Sequence, residues 1–195
     1  MRFTIIIVAY KRYNPLRCLL FSLLSQTYQN FDVIIIHDGA DEGYGEIVHE
    51  FMEYTNIRFY SSHERYNDWG HSLRNIGLSM AKGDFIINTN DDNYYTPNYL
   101  QELNDTILNN PGCNFVYYDM ILSHNNTENH NHKDYGLFLP RIQHSYMDVG
   151  QFAIKRDTID GHKFGTNADA DGTLIEEIKT KLIPVYINKV LFVHN

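Results

Sequence analysis

Residues 3–9 read Phe-Thr-Ile-Ile-Ile-Val-Ala, a run that is dominated by β-branched side chains and carries no charge. Such a run is typical of a strand covered on both faces, as in a parallel sheet. The next segment, residues 15–26, opens with Pro15 and places leucines at helical spacing, which predicts an amphipathic helix. A buried strand followed directly by such a helix predicts an α/β fold.

The same alternation continues along the chain. Further strands are predicted at 31–36, 57–61 and 85–87, and further helices at 44–54 and 70–81, the latter ended by Gly83. The second half is predicted to hold strands at 115–118, 149–155 and 183–193 and helices at 98–108 and 173–180. Strands that alternate with helices pair in parallel through right-handed crossovers. Because no repeat or linker interrupts the chain, we expect one Rossmann-like domain over residues 1–195, with a mostly parallel central sheet flanked by helices.

The composition excludes several classes of function. A length of 195 residues suits one compact domain, and a formal net charge of −8 argues against a nucleic-acid surface, which needs an excess of Lys and Arg. Cys18 and Cys113 lie far apart, so neither a disulfide framework nor a zinc knuckle is indicated. The apolar start is too short for a membrane span and lacks a signal-peptide cleavage pattern. No transmembrane segment and a cytoplasmic location are therefore expected.

Polar residues follow three of the predicted strands. Tyr10 comes after the first strand, Asp38 after the second, and the acidic turn Asn90-Asp91-Asp92 after the fourth. Ligands of parallel sheets bind outside the carboxyl ends of the strands, so one crevice is expected to gather these side chains.

The acidic turn is the candidate metal site. Carboxylates at the mouth of an apolar strand are costly unless a positive charge binds them. Mg²⁺ and Mn²⁺ prefer oxygen ligands and commonly bridge protein carboxylates to substrate phosphates. The alternative is structural, because Asn and Asp also favour tight turns after strands.

A series of motifs along residues 3–100 resembles those of the family 2 glycosyltransferases, which have the GT-A fold. They are IIIVAYKR at 5–12, SQTY at 25–28, VIIIHDG at 33–39, LRNIG at 73–77, AKGDFI at 81–86 and NDDNYYTP at 90–97. The second half of the chain matches more loosely. The resemblance implies a nucleotide-binding half at 1–97 and an acceptor and catalytic half at 98–195. It also implies transfer of a sugar from a nucleotide diphosphate donor, with a UDP-sugar favoured, to a hydroxyl of a glycan or another acceptor.

The resemblance further implies which residues hold the donor. Tyr10 would offer a ring to the base, Asp38 would accept from the N–H of uracil, and Asp91 would contact the ribose. The other nucleotide contacts expected from the resemblance are Ala9, Arg12, Trp69, Arg74 and Asn90. For Arg74 the alternative is a helix-surface arginine in a structural ion pair.

Metal ligands follow from the same resemblance. Asp92 would bind Mn²⁺ or Mg²⁺, and His194 would complete the metal shell, since imidazole suits Mn²⁺ better than Mg²⁺. The usual first acidic position of the metal motif is Asn90 here, so the site carries one negative charge less. The alternative for His194 is an ordinary surface histidine.

Inverting transfer also needs a base that removes the proton of the acceptor hydroxyl. Asp171, with Leu174 and Ile178 behind it, fits the spacing of the family's base motif, and Asp169 is the reserve. The alternative for Asp171 is a helix cap that stabilises the helix dipole. Residues 149–151, Val-Gly-Gln, resemble the glycine-containing loop near the donor sugar and the acceptor.

Other functions fit the sequence less well. The main alternative is a non-catalytic nucleotide-sugar or glycan-binding module of a larger protein. A nucleotidyltransferase is disfavoured because residues 9–14 contain no glycine, and a dinucleotide oxidoreductase because no GxGxxG follows a strand. The histidines at 124, 130 and 132 indicate a surface loop rather than a zinc site, because no Cys or defined helix accompanies them.

Overall fold

The run at residues 3–9 forms strand β1 (Phe3–Ala9), in which every residue is buried. The computed structural model describes residues 1–125 and 133–195. The other strands in this part of the chain are β2 (Phe31–His37), β3 (Ile57–Ser61), β4 (Phe85–Asn90), β5 (Tyr94–Tyr95), β6 (Phe115–Asn125), β7 (Lys133–Phe138), β8 (Phe152–Lys155) and β9 (Pro184–His194). The helices are α1 (Tyr13–Leu24), α2 (Glu42–Phe51), α3 (His71–Met80), α4 (Tyr99–Asn109), α5 (Arg156–Ile159) and α6 (Ala170–Ile178), with single 3₁₀ turns at Val149–Gln151 and Lys179–Lys181.

All nine of these strands belong to one sheet, in the order β3-β2-β1-β4-β8-β6-β9-β5, with β7 paired to β6. The first four strands of the chain pair in parallel, β3 with β2, β2 with β1 and β1 with β4. Strand β8 then runs antiparallel to both β4 and β6, whereas β6 and β9 are parallel to each other. The predicted α/β fold with a helix-flanked central sheet is confirmed. Parallel pairing predominates only in its first half, because the stretch from β6 to β8 has no crossover helix and antiparallel strands need none.

Helices cover both faces of the sheet. Successive side chains of β1 point to opposite faces, so Ile5 and Ile7 pack with the apolar sides of α1, α2 and α4. Ile6 lies on the other face, in a cluster with Leu174 and Ile175 of α6. Among the described residues, no helix is long and apolar enough to cross a bilayer.

Gly83 is not the helix stop that the sequence predicts. Helix α3 ends at Met80, and Gly83 lacks the left-handed backbone typical of a glycine that ends a helix. A Cβ at Gly83 would lie 2.6 Å from the backbone nitrogen of Thr4 and 2.9 Å from the carbonyl oxygen of Arg2. The glycine therefore lets the chain pass directly against β1 before β4 begins.

Candidate active site

The carboxyl ends of β1, β2 and β4 open into one cavity of about 490 Å³. Because β8 is antiparallel to β4, the turn that precedes β8 lies at the same edge of the sheet. The first turn of α6 closes the far side. Eight of the residues predicted from the sequence line this cavity: Ala9, Tyr10, Arg12, Asp38, Trp69, Arg74, Asn90 and Asp171. Asp91, Asp92, Asp169 and His194 are not among the lining residues.

Tyr10 and Asp38 form one end of the cavity. The Arg65 guanidinium stacks on the Tyr10 ring, 3.9 Å from its centroid. The buried Asp38 carboxylate accepts the backbone N–H groups of Tyr66 at 2.7 Å and Asn67 at 3.0 Å. These bonds hold the loop that carries Arg65 against the ring. Each Asp38 oxygen retains a second lone pair, so the expected bond from a base N–H is chemically open.

Arg65 is a lining residue that the sequence analysis missed. It lies in an irregular loop after β3, where no motif marks it. Its contact with Tyr10 joins positions far apart along the chain, which local patterns do not encode.

Arg74 faces into the cavity from the buried side of α3. It is 3% exposed, its Nη2 donates to Asn90 Oδ1 at 2.6 Å, and its Nη1 donates to the Trp69 carbonyl oxygen at 2.9 Å. Its Nε is buried without a hydrogen-bond partner in the described part of the chain. The helix-surface ion pair considered for Arg74 is therefore wrong, because this position packs inward and bonds to neutral acceptors. Desolvation lowers the pKa of the guanidinium, and a spare N–H on a buried cation is suited to an anionic ligand.

The acidic turn is neutralised from within the protein. Arg12 pairs with Asp91 at 2.5 Å and also with Asp92. The second Asp91 oxygen accepts the backbone N–H of Tyr10 at 2.8 Å. Burial raises the pKa of Asp91 to about 6. Asp91 thus bonds to the β1–α1 connection and is not itself a lining residue, and its predicted contact with the ribose stays a prediction.

The pairing of β5 with β9 sets Tyr94 opposite Val193, which brings His194 beside the acidic turn. Asp92 Oδ1 and His194 Nδ1 are both buried without a hydrogen-bond partner among the described residues. A carboxylate oxygen and an imidazole nitrogen fit Mn²⁺ in donor chemistry. Within residues 1–125 and 133–195, however, no group of three or more His, Cys, Asp or Glu side chains is arranged to hold an ion. Any ion held here would need ligands from outside the protein as well.

Of the two candidate bases, Asp171 is the one that faces the cavity. It is half-buried in the first turn of α6, and its Oδ1 accepts the backbone N–H of Gly172 at 2.9 Å. Asp169 occupies the N-cap position without a side-chain cap bond, and its side chain is 54% exposed. It bonds instead to His144 Nε2 at 3.2 Å. The exposed position of Asp169 leaves it outside the cavity.

Asp148 is a second cavity carboxylate that the sequence analysis missed. Its Oδ1 accepts the backbone N–H of Gly150 at 2.7 Å, and its Oδ2 lies 3.6 Å from His194 Nε2. Burial raises its pKa. Its position directly before the Val-Gly-Gln motif at 149–151 is the signal that could have identified it. The histidines at 130 and 132 lie outside the described residues, as does the side chain at 124.

This chain is similar to known glycosyltransferases both in sequence and in fold. The family model described as Glycosyl transferase family 2 matches residues 4–172. Glycosyltransferase GlyA of Streptococcus pneumoniae is 30% identical over 107 residues, which cover 55% of this chain and 15% of GlyA. TarS 1–349 of S. aureus superposes with a TM-score of 0.82 at 14% identity over 100% of this chain and 60% of that chain. The same TarS fragment has been solved with UDP-GlcNAc, with a TM-score of 0.79, 14% identity, and coverage of 99% of this chain and 58% of that one.

A further structural neighbour is the mannosyltransferase PcManGT of Pyrobaculum calidifontis, solved with GDP-Man and Mn²⁺. It superposes with a TM-score of 0.72 at 16% identity over 99% of this chain and 56% of that chain. This chain therefore spans between 15% and 60% of the length of these proteins.

The matched region runs from the second residue of β1 to the first turn of α6. It contains the whole cavity lining and every predicted site residue except His194. The fold of TarS superposes on this chain over its full length. This chain therefore belongs to glycosyl transferase family 2 and has the GT-A fold.

Proposed function

We propose that this chain transfers a sugar from a UDP-sugar to an acceptor hydroxyl with inversion at the anomeric carbon. The observation that carries the proposal is one cavity of about 490 Å³ with an aromatic and cationic end at Tyr10 and a carboxylate, Asp171, on its opposite side. A cavity of this size is within the range of small-molecule sites. The complex of TarS with UDP-GlcNAc favours UDP as the carrier.

The donor would lie along the carboxyl ends of the strands, in the half formed by residues 1–97. Tyr10 would stack on the base while Asp38 accepts its N–H. Within the described residues Arg74 has a spare N–H and no carboxylate in hydrogen-bond contact, so it would donate to the diphosphate. Asn90 replaces the usual acidic residue of the motif and would hold Arg74 in place through their hydrogen bond.

The acceptor would enter beside the part of the cavity formed by residues 98–195. Its hydroxyl oxygen attacks the anomeric carbon, the bond from that carbon to the diphosphate oxygen breaks, and the hydroxyl proton passes to the Asp171 carboxylate. Asp171 suits this role because it is partly shielded yet still lines the cavity.

Asp92 and His194 would hold a divalent ion, Mn²⁺ or Mg²⁺, through the two atoms that have no partner in the described chain. When bound, that ion neutralises charge on the departing diphosphate. Arg12 already lies at the same turn, so it would share Asp92 with the ion or move aside.

The test is the substitution Asp171→Asn, with Asp169→Asn as its matched control. Asp171→Asn should lower the transfer rate by roughly 100- to 10,000-fold, the usual contribution of a general base, and leave UDP affinity unchanged. Asp169→Asn should retain activity, because Asp169 lies outside the cavity. Rates of UDP release from a panel of UDP-sugars with and without Mn²⁺, together with calorimetric UDP binding, measure both effects.

Full turnover in Asp171→Asn would refute the base assignment. If the unmodified protein binds UDP but releases none from any donor, with and without acceptor sugars, the chain is a binding module rather than a transferase.

A further inference from the structure

Trp69 lies in the loop before α3 and is the single tryptophan of the chain. It lines the cavity, yet its side chain leaves the residue 65% exposed. Among the described residues no aromatic ring or cation stacks on the indole. An indole is a large apolar surface with one polar handle, and such a ring at a cavity mouth is suited to covering a ligand.

The backbone beneath Trp69 is held in an unfavourable conformation. Its φ is 57°, that of Asn67, two residues before it, is 53°, and that of Gly70, directly after it, is 82°. Residues with side chains seldom adopt this left-handed region, and such positions persist only where the surroundings impose them. Arg74 Nη1 binds the Trp69 carbonyl at 2.9 Å, and a Cβ at Gly70 would lie 2.7 Å from Val8 Cγ2. The backbone of the loop is thus fixed by Arg74 and Val8, while the indole projects into solvent at the cavity.

A nucleotide base already has an aromatic partner in this cavity. Tyr10 offers its ring there, with Arg65 against it and Asp38 buried beside it. Among the described lining residues, the only rings besides Tyr10 are Trp69 at the mouth and the imidazole of His71, which is buried. Asp148 and Asp171 also line the cavity and would repel an anionic acceptor, because the buried Arg74 near them is assigned to the donor diphosphate.

We propose that Trp69 is the platform for the acceptor, and that the acceptor is an uncharged saccharide whose pyranose ring stacks its C–H face on the indole. The inference rests on the proposed function, since it assumes that Asp171 receives the acceptor proton. It adds the chemical class of the acceptor and the residue that selects it.

Because Trp69 is the sole tryptophan, its emission reports directly on this position. The full chain is saturated with UDP and Mn²⁺ and titrated with methyl glycosides of glucose, galactose, mannose and N-acetylglucosamine, and with methyl glucuronide as the anionic counterpart. At least one neutral glycoside should give a saturable blue shift of tryptophan emission, and methyl glucuronide should give none. The inference is overturned if no neutral glycoside shifts the emission, or if UDP alone produces the full shift.

Variants test stacking independently of fluorescence. Trp69→Leu should weaken binding of the responding glycoside by roughly five- to tenfold, and Trp69→Phe should weaken it less. A loss of UDP affinity in Trp69→Leu as large as its loss of glycoside affinity would overturn the inference and return Trp69 to the nucleotide contact expected from the sequence. The matched control is Tyr54→Leu, which removes a comparably accessible ring, 42% exposed, outside the cavity. Saturation-transfer NMR and calorimetry measure the two affinities.

Equal glycoside binding by Trp69→Leu and the unmodified chain would overturn the inference. Failure of the proposed function would look different: UDP with Mn²⁺ would then neither bind in calorimetry nor raise the melting temperature of the unmodified chain. If UDP binds but no glycoside gives a response, the role of Trp69 as acceptor platform is refuted and the proposed function is not.

Discussion

The guanidinium of Arg12 bridges both carboxylates of the acidic turn. The Asp91 side chain is 1% exposed and that of Asp92 12%, whereas the Arg12 side chain is 48% exposed. Two buried negative charges are therefore balanced by a cation that still reaches water. A divalent ion and Arg12 would compete for the same Asp92 carboxylate.

Replacing Arg12 by glutamine should distinguish the contribution of the guanidinium from that of a bound ion. Without metal, Arg12→Gln should lower the free energy of unfolding by about 2 kcal/mol, because the buried carboxylates lose their counter-charge. Added Mn²⁺ should then raise the melting temperature more in the variant than in the unmodified protein, since the ion no longer competes with the guanidinium. Thermal unfolding with EDTA and with Mn²⁺ measures both.

Arg17→Gln is the control, because its ion pair with Glu50 is at the surface and contributes little. An identical Mn²⁺ response in Arg12→Gln and the unmodified chain would show that Arg12 does not compete with the ion.

At the level of elements, residues 82–84 pass directly against β1. The Gly83 N–H donates to Thr4 Oγ1 at 2.8 Å, and the Asp84 N–H donates to the Arg2 carbonyl oxygen at 2.7 Å. These bonds set where β4 starts against β1. The site depends on that start, because β4 ends in Asn90 and the acidic turn.

Gly83→Ala should therefore be costly although alanine is small. The added Cβ meets backbone atoms at 2.6 and 2.8 Å that cannot move without shifting β1, so a loss of about 2–3 kcal/mol in unfolding free energy is expected. Gly45→Ala is the matched control, since its Cβ meets nothing within 4 Å in helix α2. That control should gain up to about 1 kcal/mol from helix propensity. Urea denaturation compares the two, and equal stability of both variants would contradict the close contact.

At the scale of the whole molecule, β9 connects the two halves of the site. Phe192 is fully buried, stacks on Tyr95 at 5.2 Å, and lies so close to the turn before β8 that a Cβ at Gly150 would be 2.5 Å from its ring. Two residues further on, His194 lies beside Asp148. One apolar ring thus holds together the acidic turn, the turn that carries Asp148 and the end of β9.

Phe192→Ala should lower the free energy of unfolding by about 3–5 kcal/mol, the usual cost of emptying a core aromatic site. It should also weaken Mn²⁺-dependent UDP binding, because Asp92 and His194 lose their common support. Val190→Ala on the same strand, 36% exposed, should cost less than about 1 kcal/mol and keep that binding. Urea unfolding and calorimetry distinguish the cases. Unaltered UDP affinity in a folded Phe192→Ala protein would show that β9 plays no part in positioning the site.

Site residues at the ends of strands could be predicted from the sequence, whereas site residues in loops could not. Tyr10 and Asp38 follow buried strands and Asn90 ends one; the apolar runs of these strands are visible in the sequence, and the three residues do meet at one cavity. Arg65 and Asp148 lie in irregular segments and join the site through long-range contacts, so neither periodicity nor spacing reveals them. Strands β5 and β7 were missed for a similar reason: each is defined by its antiparallel partner, β9 or β6.

Local patterns in the amino-acid sequence are enough to predict the α/β fold, the four parallel strands of the first half and the edge of the sheet where the site lies. Local apolar periodicity carries that information, and parallel pairing then brings the strand ends together. Only the folded structure shows that Arg12 neutralises the acidic turn, that Arg74 is buried, and that Asp148 joins the cavity. Those outcomes depend on packing between residues far apart in the chain, such as Arg12 and Asp92, which are 80 positions apart, and no local pattern encodes such contacts.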